Sequence, residues 1–385
     1  MRVLFYLFLI LIIYTMVGYP ILLELLNKLI HKKQIKFDES YRPSVSVIVP
    51  AHNEDSIIEK KILNLMSLDY EKDKLEIIIA SDNSTDKTNE IVKRYVAEFP
   101  KIVKLHVVKE RKGKTNAQDE AVEVACGEII VFTDANSMLE KKSVKELVLS
   151  LSNLEIGYVA GKLVYTNNKI NSTSESESTY WNLDLRMRKI ESDLASITAG
   201  NGSIYAVRKN DYIKINPIYS HDSIYPPKFV NLGKKAIYNE KAIAFEKAGE
   251  TDNDEFKRKI RMSRKIIMIN FVDFSKYNFF KHGLFTLFYF SHRTLRNNLY
   301  LMHIIVFITN LILAFTDSNS IYVFLFIVQL IIYLLALVAR NLNNKYLKFI
   351  SYYVMTILAQ LIGAYRESTG KSKTILGKSR KYEVD

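Results

Sequence analysis

The chain holds a single cysteine, Cys126, among 385 residues. That rules out an intramolecular disulfide framework and fits a reducing compartment. It has neither a G-x-x-x-x-G-K-[ST] phosphate loop nor a G-x-G-x-x-G dinucleotide fingerprint, so two common routes to nucleotide binding are excluded. No zinc, helix-turn-helix or RRM signature accompanies the net charge of +13, and nucleic acid is not among the expected partners. Much of the excess charge instead lies beside apolar runs, where Lys and Arg meet anionic headgroups and fix orientation. The hydrophobic fraction of 48% is ordinary as an average but concentrated at the two ends. The length leaves room for two or three units.

The N-terminal run from Val3 to Leu26 is long enough to span a bilayer. A cleaved signal peptide competes, but the apolar core is long and no small-x-small site follows it. Lys28, His31, Lys32, Lys33 and Lys36 come next and place the following domain in the cytoplasm by the positive-inside rule. At the other end, Asn278 to Leu295 mixes Phe279, Phe280, Phe285 and Phe288 with Lys281, His292, Arg293 and Arg296, an interfacial pattern. Leu299–Phe315 and Ile321–Val338 are candidate spans, and Arg340 and Lys345 return the chain to the cytoplasm. Leu347–Ala364 carries Lys348, Ser351, Thr356, Gln360 and Gly363 on one side of a helical wheel. With Arg366, Lys371, Lys373, Lys378, Arg380 and Lys381 behind it, a surface-lying or re-entrant helix and a cytoplasmic tail are expected. The expected units are a membrane helix over 1–30, a cytoplasmic domain over 40–270, an interfacial helix over 275–296, membrane or re-entrant helices over 297–365 and a basic tail over 366–385.

Between these ends, strand and helix alternate. Ser44–Pro50, Leu75–Ala80, Val103–Val108 and Glu128–Thr133 read as strands buried on both faces. Ser56–Leu68, Lys87–Phe99 and Lys114–Ala125 read as the intervening helices, the second capped by Thr85 or Asp86. The alternation predicts an α/β fold with a right-handed, doubly wound, mostly parallel sheet. Asn53 and Glu54, Asp82 and Asp134 each leave the carboxyl end of a strand, so they converge on the crevice where such sheets hold ligands. Asp134 and Asn136, two residues apart, project oxygens from one side of an extended chain, as a hard cation against phosphates requires. Taken singly, Asp82 is as compatible with a turn or cap, and Lys114 with a solvated charge run.

The ordered set Ser46–Glu54, Ser81–Asp86, Gly113–Lys114 with Ala117, and Thr133–Asn136 resembles the membrane-bound type of family 2 glycosyltransferases over roughly residues 44–265. That resemblance implies a GT-A-like fold, a nucleotide-sugar donor (usually a UDP-sugar) and Mg²⁺ or Mn²⁺. It implies that Asn53, Glu54, Asp82 and Lys114 hold the nucleotide, and that Asp134 with Asn136 serves the diphosphate and metal. Gly200 and Asn201 resemble the family's acceptor-side loop, although a plain tight turn is also compatible. Asp222 corresponds to the second carboxylate of a Glu-Asp pair and is expected to be the catalytic base, with His221 in place of the Glu. A helix cap is the alternative for Asp222. Arg258 and Arg261 stand where the family has Gln-x-x-Arg-Trp, on one helical face suited to a diphosphate or lipid phosphate, or to a headgroup surface.

Elsewhere Tyr158–Tyr165 reads as a strand-pair region, Asn167–Ser178 as a loop and Tyr180–Ile190 as a helix bearing Trp181. The expected activity is an inverting transfer from nucleotide-sugar to a growing polysaccharide or lipid-linked glycan at the cytoplasmic face of the membrane. Membrane lipids and export or synthase proteins are the further expected partners. Single-sugar transfer to a polyprenyl phosphate or lipid is the alternative within enzymes, and a non-catalytic scaffold or export component is the alternative outside them.

Overall fold

The computed structural model describes residues 1–32, 35–166, 172–247, 252–338 and 344–372. Lys33, Asn167–Asn171, Arg340 and the tail residues Lys373, Lys378, Arg380 and Lys381 lie outside these.

The chain opens with α1 (Arg2–Ile13), a π-helical stretch (Tyr14–Gly18) and α2 (Tyr19–Leu29), one apolar rod of 28 residues. The α/β domain follows: β1 (Val45–Ala51), α3 (Ile58–Met66), β2 (Leu75–Ser81), α4 (Thr88–Glu98), β3 (Val103–Val107), α5 (Lys114–Val124), β4 (Ile129–Thr133), β5 (Met138–Leu139) and α6 (Ser143–Leu151). It continues through β6 (Ile156–Tyr165), α7 (Ser172–Leu194), β7 (Ile204–Arg208), α8 (His221–Asn231), β8 (Lys235–Glu246) and α9 (Asp252–Met262). Short helices α10 (Met268–Phe271), α11 (Phe279–His282) and α12 (Leu284–Phe288) and a π-helical turn (Tyr289–Leu295) lead to α13 (Leu299–Thr316), α14 (Ile321–Val338) and α15 (Lys345–Ser368).

One sheet of eight strands, in the order β3-β2-β1-β4-β7-β6-β8-β5, forms the domain's centre. The first four strands are parallel, as the unbroken apolar runs predict; β7 then pairs antiparallel with both β4 and β6, and β6 pairs parallel with β8. The sheet is therefore mixed, with its parallel half carrying the crevice. The side-chain period of two sorts each strand between two cores. Val45, Val47 and Val49 join Ile77, Ile79, Ile129 and Val131 on one face, against Ile58, Ile62 and Leu65 of α3. Ile48, Ile78, Ala80, Ile130 and Phe132 join Ala117 and Ala121 of α5 on the other. Burial on both faces explains why these strands lack polar alternation.

Two expectations are corrected here. Tyr158–Tyr165 is not a strand pair but part of a single strand, β6. Gly161, which resembles a turn residue, is needed for close approach: a Cβ there would lie 2.4 Å from the carbonyl oxygen of Ala242 on β8. From Ser172 onward the polar stretch expected to be a loop belongs to α7, which runs on through Trp181 to Leu194. A Ser-, Thr- and Glu-rich segment has little apolar periodicity of its own, and the rest of α7 packs between the sheet and the apolar helices α2 and α15.

By length and composition, three helices suffice to cross a membrane: Arg2–Leu29, Leu299–Thr316 and Leu347–Ser368; Ile321–Ala336 is a shorter apolar helix. The guanidinium of Arg2 bonds the carboxylate of Asp317 at 2.5 and 2.9 Å, tying the start of α1 to the loop between α13 and α14. At the opposite end of the rod, Glu24 takes both arms of Arg186 on α7 at 2.8 and 3.0 Å.

Candidate active site

The loops at the carboxyl ends of β1 and β2 lock together first. Asn53, with a left-handed φ of 57°, accepts from the Thr85 backbone N–H at 2.8 Å and donates to its hydroxyl at 3.2 Å. The Glu54 backbone N–H donates to Thr88 Oγ1 at 2.8 Å. Asp86 Oδ1 accepts from the Thr88 N–H at 2.9 Å, so of the two cap candidates it is Asp86 that satisfies the start of α4.

Asp82 is buried, and its carboxylate accepts the backbone N–H groups of Lys112 and Gly113 at 3.1 Å each. Burial pushes its pKa up, against the lowering pull of those two donors. Gly113 sits at φ 96°, a conformation that other residues adopt only with strain. The turn it makes turns two amides towards Asp82 and starts α5 at Lys114. The lysine ammonium then bonds Asp134 directly and reaches the carbonyl of Gly202 at 3.5 Å. Burial raises the Asp134 pKa, while the Lys114 ammonium pulls it down.

From Gly202 the rim continues to the base candidate. The Gly200 N–H donates to the backbone carbonyl of Asp222 at 2.8 Å, and Thr115 of α5 donates to the Tyr219 carbonyl at 2.8 Å. Asp82, Lys114, Asp134, Gly200 and Asp222 are thus linked by one run of hydrogen bonds and adjacent residues, with Asn53 and Glu54 near Asp82. Asp222 stands in the first turn of α8. Its half-buried carboxylate makes no hydrogen bond or ion pair with the described residues. Asn201 is differently placed: its amide donates to the Gly161 carbonyl at 2.5 Å and accepts from the N–H groups of Ser203 and Ile204 at 3.1 Å each, so it holds the loop's shape from inside. Arg258 pairs with Glu255 at 2.7 and 2.8 Å and donates to the Tyr165 hydroxyl at 3.3 Å, within its own corner of the domain. Arg261 is half-buried on the same helix.

Two side chains of the site escape sequence reasoning, and the surroundings of a third, His221, are seen only in the structure. Lys61, on the core face of α3, is fully buried and donates to Thr133 Oγ1 at 2.9 Å and to the Ser137 carbonyl, directly beneath the Asp134 loop. Burial pushes its pKa down to about 7 against the attraction of Asp134 and Glu246. The signal was a lysine interrupting the apolar stripe Ile58, Ile62, Leu65. Glu246 ends β8, and its Oε2 accepts from Ser137 and Ser203, both at 3.2 Å. Its charge also raises the Asp134 pKa, so a second carboxylate stands near the Asp134 loop. A carboxylate ending a strand was again the available sign. Third, His221 is buried in an aromatic cage, 2.8 Å from the Tyr205 hydroxyl, 3.4 Å from Asp119 and stacked on Tyr225 at 4.4 Å. Burial lowers its pKa and the Asp119 carboxylate opposes that. It braces the start of α8 from behind.

A divalent cation suits these residues. Asp134, Glu246 and the Asn136 amide are hard oxygen donors, and the Asn136 side chain makes no hydrogen bond with the described residues. No group of three or more His, Cys, Asp or Glu side chains gathers for a metal among the described residues. A cation held here would take the rest of its oxygen shell from a ligand's phosphates and water.

The mixed sheet, its parallel half ending in this acid- and lysine-lined crevice, is GT-A-like. The match to a solved structure agrees: a mannosyltransferase from Pyrobaculum calidifontis, solved with GDP-Man and Mn²⁺, superposes with a TM-score of 0.71 over 96% of this chain and 99% of that one, at 21% identity. The family model described as glycosyl transferase family 2 matches residues 46–215. An N-acetylglucosaminyltransferase of Bradyrhizobium elkanii is 30% identical over 128 residues, 32% of this chain and 69% of that protein. A protein named probable glycosyltransferase YdaM, of Bacillus subtilis, is 38% identical over 129 residues, 32% of this chain and 30% of that protein. The chain belongs to glycosyltransferase family 2. It spans about a third of the length of the first curated relatives it matches.

Proposed function

We propose that the protein is a membrane-embedded, inverting glycosyltransferase that moves a sugar from a nucleotide-sugar to a glycan or lipid-linked acceptor at the cytoplasmic face. The observation that carries this reading is the unbroken rim from Asp82 through Lys114 and Asp134 to Asp222. In it, Asn53, Glu54 and Asp82 flank the nucleoside, and Lys114 meets the diphosphate. Asp134, Asn136 and Glu246 hold Mg²⁺ or Mn²⁺, which when bound neutralises charge growing on the departing diphosphate. Asp222, with no bond of its own to break, removes the proton from the acceptor hydroxyl. That oxygen bonds the anomeric carbon as the carbon–phosphate oxygen bond breaks, and one displacement inverts the centre. Lys61 fixes the Asp134 loop from below, so its carboxylate is positioned before the donor arrives. Arg258 and Arg261 and the acceptor-side Gly200 and Asn201 act as scaffolding for the acceptor channel in this reading.

The placement of the α/β domain in the cytoplasm rests on Lys28, His31, Lys32 and Lys36 behind the N-terminal span. A surface-lying or re-entrant course for the last helix keeps the basic tail on that side. The direct test is release of free nucleotide by the purified full chain, with Mn²⁺, from a panel of UDP- and GDP-sugars. Release from at least one donor, lost in Asp222→Asn, supports the assignment; no release from any donor with a membrane extract as acceptor source sinks it.

A further inference from the structure

The second half of α7 carries two buried charges, Arg188 and Glu191, that the assigned site does not use. Their i, i+3 spacing turns both to one side of the helix. Each reaches the stretch 198–201 that precedes β7. The Glu191 carboxylate accepts from the Thr198 hydroxyl at 3.3 Å, and the Arg188 guanidinium donates to the Gly200 carbonyl at 2.6 Å. Gly200 in turn gives its N–H to the backbone carbonyl of Asp222 at 2.8 Å, in the first turn of α8. Against the other side of Gly200 lies the buried Tyr158 hydroxyl, so close that a Cβ at position 200 would run into it. Gly200 is thus backed by Tyr158, held at its carbonyl by Arg188 and joined through its nitrogen to the residue that follows His221.

Arg188 is itself held in place. Its Nε donates to Asp184 at 2.6 Å, and its guanidinium carbon lies 5.3 Å over the Trp181 ring. Asp184 is fixed by His292 and Arg296 at 3.1 Å each, from the turn that leads into α13. Glu191 is bonded by His292 at 2.7 Å and by Tyr19 of α2 at 2.6 Å. A guanidinium is a rigid planar fork, and one bound on two sides is left a single orientation. The carbonyl that accepts from it is oriented with it.

Resting on the transferase reading above, we propose that Arg188 is a positioning residue for the transfer step. It acts through Gly200 rather than on the reacting atoms. By fixing the Gly200 peptide it sets where the Asp222 main chain stands, and with it the carboxylate that takes the acceptor proton. A misplacement of about 1 Å at such a group costs about 10²-fold in rate.

Arg188→Met in the full chain tests this. Methionine keeps an unbranched stem beside Trp181, and Asp184 retains His292 and Arg296, so that carboxylate is not stranded. With Mn²⁺ and a donor that wild type turns over, Arg188→Met lowers kcat for transfer about 10²-fold while nucleotide affinity stays within about threefold of wild type. The deciding comparison is a double-mutant cycle. Because Arg188 works through Asp222, adding Arg188→Met to Asp222→Asn costs less than about threefold further. Losses that multiply in the double variant overturn the proposal, since Arg188 then acts independently of the base. So does unchanged transfer in Arg188→Met, or a loss of nucleotide affinity that matches the loss of transfer. Absence of transfer from every donor in wild type sinks the transferase reading and this proposal with it. Failure confined to the Arg188→Met cycle leaves that reading standing.

Discussion

Asp222 and Lys61 do opposite things with charge, and each makes a prediction. The Asp222 carboxylate makes no hydrogen bond or ion pair with the described residues, which suits the proposed role of taking a proton from an acceptor hydroxyl. Asp222→Asn lowers the transfer rate by roughly 10²–10⁴-fold while Mn²⁺-dependent nucleotide affinity stays within about threefold of wild type. Equal turnover of the two proteins removes Asp222 from the role of base. Lys61 gives up freedom to hold the Asp134 loop. Its folded pKa near 7 lies below the ordinary lysine value of 10.5, so between those values the unfolded chain binds the proton that the folded one has lost. The stability it contributes is therefore present at high pH and is lost as pH falls through about 7, with a slope of at most about 1.4 kcal/mol per pH unit. Wild type should gain thermal stability over Lys61→Met as pH rises from about 7 to about 9. A gap between the two melting temperatures that stays constant over this range contradicts the assignment.

α7 links the apolar helices to the α/β domain. Glu191 accepts from the Tyr19 hydroxyl of α2 at 2.6 Å and pairs with His292 at 2.7 Å, while Arg188 joins Asp184 to the Gly200 carbonyl at 2.6 Å. Charges buried together in this way are strongly coupled, and removing one partner strands the others. Asp184→Asn leaves Arg188 and Arg296 without their shared carboxylate and should destabilise the full chain by about 3–5 kcal/mol. Thermal unfolding in detergent measures this, and an unchanged melting temperature argues that water or lipid already screens the cluster. None of this coupling was legible in sequence, since it joins residues from four separated stretches by contacts that no periodicity marks. The parallel half of the sheet was legible because its strands are apolar on both faces and end in polar loops. In the mixed half, Ile204–Arg208 (β7) reads as a strand behind a glycine turn, whereas β8, outside any strand–helix alternation, offered no such rhythm. The site follows the same division: Asp82, Lys114 and Asp134, linked through one run of hydrogen bonds, come from loops that the strand ends make readable. Lys61 and Glu246 were passed over because a buried lysine and a late strand-end glutamate look like ordinary exceptions.

At the scale of the whole molecule, the α/β domain packs on the apolar helices through α7 and α9. Arg2–Leu29 and Leu299–Thr316 are long enough to anchor the chain. The helix Lys345–Ser368 packs back on α9, where Ser263 leaves no room for a Cβ at Gly363 (2.6 Å). Gly363→Leu should therefore loosen α15 from α9 and lower transfer to a lipid acceptor more than it lowers nucleotide binding. Equal losses in both, measured side by side, place the effect in general unfolding instead. The central claim is that one crevice gathers Asp82, Lys114, Asp134 and Asp222 around a single nucleotide-sugar and a divalent cation. Its most direct test is the affinity of the full chain for UDP and GDP, measured with Mn²⁺ and with excess chelator, in wild type and in Asp134→Ala. Binding of at least one nucleotide that weakens about tenfold or more on either change is the predicted result. Affinity unmoved by both chelation and the substitution would contradict it.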